Sequence, residues 1–180
     1  QKQEAVPGLM QQAESEAESE MILEAGSIRY HGKVYTYKKD ILTFLFLGID
    51  KEGEVKASSN LFKGGQADAL FLAVLDPGEK KISVIGINRD TMASMNVYDK
   101  NGRYSGRQTA QIALSHAYGD GLEESCENSL DAVSNLFYGL PIHGYCALNM
   151  PVVSKLNDAV GGVDVVIPES ANGLEKGWTT

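Results

Sequence analysis

Three charged side chains lie next to apolar stretches that are typical of buried β-strands. Asp50 ends the run ILTFLFLGID, Asp68 precedes the run LFLAVL, and Arg89 follows the run KISVIGIN. A charged group at such a position is costly to bury without a partner, so the pattern favours a polar site over simple packing. Two carboxylates and a guanidinium at one edge of a sheet can hold a divalent cation and an anionic ligand.

The apolar runs predict a sheet that brings two of these residues together. The stretches 69–75 and 81–88 flank Asp76-Pro77-Gly78-Glu79, whose residues favour a tight turn, so we expect an antiparallel pair. Antiparallel pairing places the start of one strand beside the end of the other. Asp68 and Arg89 should therefore face each other across the ladder.

The other segments predict helices and strands that interleave on the same sheet. The polar segment 92–109 is expected to form a long loop over the site. The remaining expected elements are a β-hairpin around His31-Gly32, a strand at 41–48, a short helix within 110–121, an amphipathic helix at 123–137, a strand at 145–149, a helix at 151–160 capped by Asn149, and a strand at 163–169. The predicted fold class is α/β (α+β), with a mixed central β-sheet flanked by helices.

The charge of the chain is concentrated near its N-terminus. The 180 residues carry a net charge of −8, and residues 1–24 hold six glutamates against the single cation Lys2. We expect residues 1–26 to form a flexible acidic arm or tether, and residues 27–180 to form the globular domain. The domain lacks the basic character that a nucleic-acid surface needs, so DNA and RNA are excluded as partners. No stretch has the length of a membrane span or the pattern of a signal peptide.

The cysteines and histidines do not form a recognisable catalytic or metal-binding motif. Cys126 and Cys146 each lie on the apolar side of a predicted element, so we expect buried free thiols, with a disulfide possible outside the cell. His116 is expected to pack within a helix, whereas His31 should lie in a turn and His143 in a loop. Nucleotide binding is disfavoured because no GxxxxGK[ST] or GxGxxG motif is present.

Between Lys39 and Glu169 the chain resembles the LytR-CpsA-Psr family of cell-envelope proteins. The resemblance rests on six ordered segments: LFLGID, GQADA, INRDT, ALSHAYGDG, GLPIHGYCALNM and LNDAVGGVDVVIPE. It implies an extracytoplasmic phosphotransferase at the membrane or cell-wall surface, tethered through an anchor absent from this sequence. Such an enzyme would move a glycopolymer from a polyprenyl-pyrophosphate carrier to peptidoglycan.

The resemblance also implies roles for individual residues. Asp50 and Asp68 would bind Mg²⁺, although two carboxylates alone make a weak magnesium site. Arg89 would bind the pyrophosphate, and Asp90 would assist catalysis by orienting Arg89 or capping the following turn. A structural ion pair from Arg89 to Asp90 or Asp50 is the alternative interpretation.

Two departures from the family pattern bear on activity. Gln66 and Ala67 stand where the family usually has arginine and serine, so Gln66 can bind a phosphate only as a neutral hydrogen-bond donor. Arg103 and Arg107 would have to supply the missing charge to the substrate, although their position in a polar loop favours solvated residues over ligands. The sequence stops at Thr180, before the arginine cluster that the family has further downstream. We therefore expect either that the chain is a fragment of a larger domain or that the other half of the site comes from elsewhere. The alternative functions are therefore a non-catalytic polyisoprenoid-phosphate-binding or regulatory module, and a wall scaffold with a degenerate site.

A set of aliphatic and aromatic residues is expected to form the core. The resemblance implies that part of this apolar face could instead line a tunnel for a polyprenyl tail. The residues are Leu114, Leu130, Val133, Leu136, Phe137, Val152, Val153 and Leu156.

Overall fold

A computed structural model describes residues 26–53, 64–99 and 101–164 of the chain. The strands in these residues are β1 Ser27–Tyr30, β2 Lys33–Thr36, β3 Leu42–Ile49, β4 Ala67–Asp76, β5 Lys81–Ile87, β6 Met92–Tyr98, β7 Tyr104–Gln111 and β8 Gly144–Asn149. The helices are α1 Leu114–Ala117, α2 Glu123–Leu136 and α3 Met150–Ala159. The predicted acidic arm, apart from Gly26, and most of the strand predicted at 163–169 lie outside the described residues.

A mixed sheet forms the centre of the described fold. Its strand order is β5-β4-β3-β8, in which β4 pairs antiparallel with both β3 and β5, and β8 pairs parallel with β3. Helices α1 and α2 pack beside this sheet and its neighbouring hairpin β6-β7. The predicted fold class is therefore confirmed.

The alternating side chains of β3 explain why this strand lies in the middle of the sheet. Leu45 and Leu47 are almost fully buried and pair in register with Leu72 and Leu70 of β4. Burying such a side chain contributes roughly 1.5–3 kcal/mol relative to leaving it exposed. The intervening Phe46 points to the opposite face and is 42% exposed.

The turn between β4 and β5 has the form that its sequence predicts. Asp76 Oδ1 accepts the backbone N–H of Glu79 at 3.0 Å, which closes the turn. The other carboxylate oxygen of Asp76 forms an ion pair with Lys38 Nζ at 2.5 Å. The hydrogen bond from Lys38 lowers the pKa of Asp76. The predicted antiparallel pairing of these strands is confirmed.

The segment predicted as a long loop, residues 92–109, instead forms most of the hairpin β6-β7. Ala93 and Met95 alternate with more exposed residues and are buried against the core, with α2 packed on β6. At the turn, Asp99 Oδ1 accepts the backbone N–H of Arg103 at 2.9 Å. The loop prediction was wrong because the polar residues belong to the exposed face of a strand pair.

The predicted amphipathic helix is confirmed as α2. Its buried face includes Ser129, Ala132 and Val133, and its first turn carries Glu123 and Glu124. These acidic side chains interact favourably with the positive end of the helix dipole. The helix thus closes one face of the central sheet.

The core prediction is correct for the first two helices and wrong for α3. Val133 is buried, and Leu114, Leu130, Leu136 and Phe137 pack partly buried against the core. On α3, however, Val152, Val153 and Leu156 are 36%, 53% and 50% exposed. All three residues lie on α3, and no side chain of this helix is buried among the described residues. Their helical spacing therefore marks an exposed face and not a core-facing one. Asn149 takes the expected N-cap position of α3, but its side chain makes no capping hydrogen bond.

The three histidines have the positions that the sequence predicts. His116 is only 2% exposed, and His31 lies in the exposed turn of the β1-β2 hairpin. His143 lies in the loop before β8, where its Nδ1 accepts the backbone N–H of Thr43 at 3.0 Å. No helix among the described residues has the length and apolar character needed to cross a bilayer.

The two cysteines lie in different environments. Both are free; Cys126 is buried on α2, as predicted, whereas Cys146 on β8 is exposed, contrary to the prediction. Cys146 pairs in register with Phe46, so it lies on the open face of the sheet. Burial raises the pKa of the Cys126 thiol to about 11.

This difference predicts unequal thiol reactivity. An aromatic disulfide reagent at pH 8 should modify Cys146 rapidly and Cys126 only after denaturation, because about one Cys126 in a thousand would be a thiolate. The measurement is the released chromophore over time, with and without denaturant. In Cys146→Ser the fast phase should disappear; a fast phase that persists in this variant would contradict the assignment.

Candidate functional site

Asp50, Asp68 and Arg89 meet at one edge of the central sheet. Asp50 directly follows β3, and its preceding residue Ile49 lies opposite Ala67 at the start of β4. Arg89 follows β5, and its Nη1 forms an ion pair with Asp68 Oδ1. The predicted proximity of Asp68 and Arg89 across the strand ladder is therefore confirmed.

Gln66 connects all parts of this edge. Its backbone N–H donates to Asp50 Oδ1 at 2.5 Å, and its carbonyl accepts the backbone N–H of Asp50 at 3.1 Å. Its side-chain Oε1 accepts a hydrogen bond from Arg89 Nη2 at 3.2 Å. Gln66 thus orients both the first carboxylate and the guanidinium, a structural role that the sequence interpretation did not foresee.

Gly65 allows the chain to approach Asp50 closely. Its φ angle is +86°, a conformation that glycine adopts at little cost. A Cβ atom at this position would lie 2.8 Å from Ile49 Cγ2 and 3.0 Å from Asp50 Oδ1. Only glycine fits both the backbone conformation and the available space.

The charged groups of the site remain accessible to solvent. The side chains of Arg89 and Asp68 are 43% and 38% exposed. An exposed ion pair of this kind contributes only about 0–1 kcal/mol to stability. Arg89 thus pairs with Asp68 rather than with Asp90 or Asp50. A ligand can replace Asp68 as the partner of Arg89 at small cost in free energy.

A crevice of about 400 Å³ opens beside these residues. It is lined by both carboxylates, Asp50 and Asp68, together with Glu52, Asn149 and Val153. Sequence reasoning assigned Asn149 only to helix capping and did not single out Glu52. Asn149 ends an apolar strand just as Asp50 does, so the same pattern could have identified it.

Asn149, which lines this crevice, has a buried amide oxygen without a partner in the described part of the chain. Asn149 Nδ2 donates to the carbonyl of Gly53 at 2.6 Å, which fixes the orientation of the amide. Its Oδ1 is buried and has no hydrogen-bond partner among the described residues. A buried acceptor without a partner costs free energy, so this oxygen favours a donor or a cation.

The oxygen ligands at the edge fit Mg²⁺ only with help from a substrate. No group of three or more histidine, cysteine, aspartate or glutamate residues is placed to hold a metal in the part of the chain that the structure describes. Mg²⁺ is commonly held by one or two carboxylates, with waters and substrate phosphates completing the coordination. Asp50 and Asp68 match that kind of site, and their role as metal ligands stays a prediction.

Asp90 contacts the neighbouring hairpin rather than Arg89. Its Oδ1 accepts a hydrogen bond from Gln111 Nε2 at 2.9 Å, at the end of β7. Its backbone N–H donates to Asn88 Oδ1 at 2.8 Å, so Asn88 caps this turn. The expected orientation of Arg89 by Asp90 is not formed, and Asp68 and Gln66 take that position.

Arg103 and Arg107 lie along the β6-β7 hairpin, away from the edge. Arg107 forms an ion pair with Asp131 of α2 at 3.0 Å and precedes Gln111 by four residues, or about 13 Å of strand. Arg103 lies at the turn at the far end of the hairpin. The structure therefore does not bring either arginine together with Arg89.

The described fold and edge define an α/β domain with a polar, solvent-accessible site at the end of a mixed sheet. A model of the LytR_cpsA_psr family matches residues 8–177. The chain belongs to this family.

Relatives and solved structures agree with that assignment. The chain is 30% identical over 128 residues to the polyisoprenyl-teichoic acid–peptidoglycan teichoic acid transferase TagU of Bacillus anthracis, covering 71% of this chain and 35% of the relative. It is 28% identical over 127 residues to TagU of Enterococcus faecalis, covering 71% of this chain and 36% of the relative. The structure of Bacillus subtilis TagV shares the fold, with a TM-score of 0.56 and 23% identity, covering 80% of this chain and 53% of TagV. The chain spans about a third of the length of the curated relatives it matches.

The close approach at Gly65 yields a stability prediction. Gly65→Ala should lower the free energy of unfolding by about 1–2 kcal/mol for the left-handed backbone and by a further ~1–3 kcal/mol for the clash with Ile49 and Asp50. Gly139→Ala is the matched control, because Gly139 has φ +84° and no atom of the described residues lies within 4 Å of an added Cβ. Chemical denaturation measures both variants. Equal destabilisation would show that the contact with Asp50 is not tight.

Proposed function

We propose that this chain forms the part of an envelope phosphotransferase that binds the pyrophosphate of a polyprenyl-linked glycopolymer. The whole protein would transfer this glycopolymer to peptidoglycan. The observation that carries the proposal is the Asp68–Arg89–Gln66–Asp50 network at a solvent-accessible sheet edge beside a crevice. The names of the relatives, which are teichoic acid transferases, support the same reaction class.

Arg89 is the residue best suited to bind the pyrophosphate. Its planar guanidinium remains charged at any physiological pH and can donate two parallel hydrogen bonds to phosphate oxygens. Its present partners, Asp68 and Gln66, hold it at the edge without burying it. Arg89 would therefore stabilise negative charge on the phosphates without a large rearrangement.

The carboxylates would hold Mg²⁺ together with the substrate. Asp50 and Asp68 supply hard oxygen ligands, and Asn149, whose buried Oδ1 has no partner among the described residues, lines the same crevice. When bound, Mg²⁺ would neutralise charge on the pyrophosphate. Glu52 also lines the crevice, so a cation would reduce the repulsion among three carboxylates.

The reaction is a phosphoryl transfer. The oxygen of an acceptor hydroxyl on peptidoglycan forms a bond to the phosphorus that carries the glycan. The bond from this phosphorus to the bridging oxygen breaks, polyprenyl phosphate leaves, and the hydroxyl proton is released. Positioning and electrostatic stabilisation dominate such reactions, which suits a site made of an arginine and carboxylates.

The proposed substrates also determine where the protein acts. Polyprenyl carriers are membrane lipids, and peptidoglycan lies outside the cell membrane. We therefore propose that the protein acts at the extracytoplasmic membrane or cell-wall surface.

Gln66 favours a second function. The Gln66 side chain is neutral, so Arg89 is the arginine that supplies positive charge at this edge among the described residues. A site with reduced positive charge could bind polyisoprenoid phosphates without catalysing transfer, as a binding or regulatory module. Transfer of labelled glycan to peptidoglycan by the full-length protein would favour the enzyme, whereas saturable binding without transfer would favour the module.

A binding measurement tests the proposed site on this chain. We expect titration calorimetry to show Mg²⁺-dependent binding of a short-chain polyprenyl pyrophosphate. Arg89→Lys should weaken this binding by about tenfold or more, because a lysine loses the two-pronged contact with phosphate. Asp50→Asn and Asp68→Asn should remove most of the dependence on Mg²⁺.

Arg107→Lys provides the matched control for Arg89→Lys. Both arginines are similarly exposed and each pairs with one aspartate, but Arg107 lies on the hairpin away from the edge. The affinity of the Arg107→Lys variant for polyprenyl pyrophosphate should stay within about twofold of the wild type. Equal weakening by both substitutions, or binding that is unchanged when magnesium is chelated, would exclude the assigned site.

A further inference from the structure

One short segment, residues 112–116, is hydrogen-bonded to the chain on both sides of the site. The backbone N–H of Ala113 donates to the carbonyl of Arg89 at 3.2 Å, and the carbonyl of Ala113 accepts the backbone N–H of Ala67 at 3.1 Å. His116 Nδ1 lies 3.0 Å from the carbonyl oxygen of Gly65. The segment 112–116 thus links the loop before β4 to the chain after β5.

The segment is itself held firmly inside the protein. Ser115 is fully buried, and its hydroxyl donates to the carbonyl of Ile112 at 2.7 Å. The same hydroxyl lies 3.1 Å from Ser129 Oγ on α2. Buried hydroxyls with such partners fix the position of the chain that carries them. His116 therefore acts from a rigid support.

The contact with Gly65 identifies the protonation state of His116. A backbone carbonyl can only accept a hydrogen bond, so Nδ1 of His116 must carry a proton. Burial lowers the pKa of His116, against the opposing effects of the Gly65 carbonyl, Asp120 and Asp50. The ring is therefore neutral at pH 7, with its proton on Nδ1.

The carbonyl of Gly65 belongs to the same peptide group as the N–H of Gln66. A trans peptide is planar, and its C=O and N–H groups point in opposite directions. His116 binds the carbonyl side of this peptide, while Asp50 Oδ1 accepts the N–H on the other side at 2.5 Å. A shift of His116 would therefore move this peptide, and with it the N–H group that Asp50 accepts.

We propose that His116 is a positioning residue of the site: its Nδ1–H fixes the Gly65–Gln66 peptide, which orients the carboxylate of Asp50 and places the Gln66 side chain against Arg89. His116 is only 2% exposed and is not among the residues that line the crevice beside Asp50 and Asp68. This inference rests on the proposed function only for the consequence that losing the contact weakens ligand binding.

Two substitutions separate positioning from simple packing. His116→Asn keeps a donor at a place close to that of Nδ1, whereas His116→Leu keeps apolar bulk and loses the donor. The primary measurement is hydrogen exchange of the Gln66 amide in the folded protein. We expect exchange at least about tenfold faster in His116→Leu and close to the wild-type rate in His116→Asn. The amide of Glu79 is the matched control, because it also donates to a carboxylate, at the opposite end of the sheet.

The second measurement is affinity for short-chain polyprenyl pyrophosphate with Mg²⁺. We expect a loss of about tenfold in His116→Leu and a substantial recovery in His116→Asn. His143→Leu, which removes an acceptor for Thr43 away from the site, should leave the affinity unchanged. If the wild-type chain binds no such lipid, the proposed function fails, while the exchange of the Gln66 amide still decides the role of His116.

Two results would overturn the inference. The first is an unchanged Gln66 amide in folded His116→Leu. The second, which needs no variant, comes from nitrogen NMR of the wild-type protein, in which the His116 ring should be protonated on Nδ1. Protonation of His116 on Nε2 alone would exclude the hydrogen bond to Gly65, even if His116→Leu failed to fold.

Discussion

The antiparallel ladder between β3 and β4 places the whole site, because it brings the end of one strand to the start of the next. Leu47 pairs with Leu70, and the register shifts between Gly48 and Ile49. One residue beyond this shift, the chain leaves the sheet with Asp50 beside the Gln66 peptide. A slip of one residue would move the leucines of β3 to the open face, so core packing and site geometry are fixed together.

The sequence predicted the parts of this arrangement that depend on local patterns. Apolar alternation and the Asp76–Glu79 turn were sufficient to place Asp68 near Arg89. The hairpin β6-β7 was missed because its polar, turn-forming residues suggested a loop, although Ala93 and Met95 already alternate with polar neighbours. The role of Gln66 was out of reach, since it depends on a backbone conformation at Gly65 that spacing alone does not reveal.

The misplaced core residues show a different limit of sequence patterns. Periodicity identifies which side chains share a face, but it does not say whether another element covers that face. Val153 and Leu156 share a face of α3 and remain exposed, and the same is true of Phe46 and Phe71 on the sheet. The site thus lies between a well-packed interior, which holds its backbone, and an apolar surface beside α3, which borders its crevice.

The rigidity of the backbone and the accessibility of the charges serve complementary purposes. The peptides that carry Gln66 and Arg89 are hydrogen-bonded to the buried segment 112–116, so the backbone of the site is held in place without a ligand. The charged groups have the opposite property: the pair between Arg89 and Asp68 is about 40% exposed and worth only about 0–1 kcal/mol. Under the proposed function, the guanidinium would exchange a carboxylate for a phosphate, and Asp68 would then be free for a cation. Binding of an anion at Arg89 and of a cation at Asp68 would favour each other, because each releases the partner that the other needs.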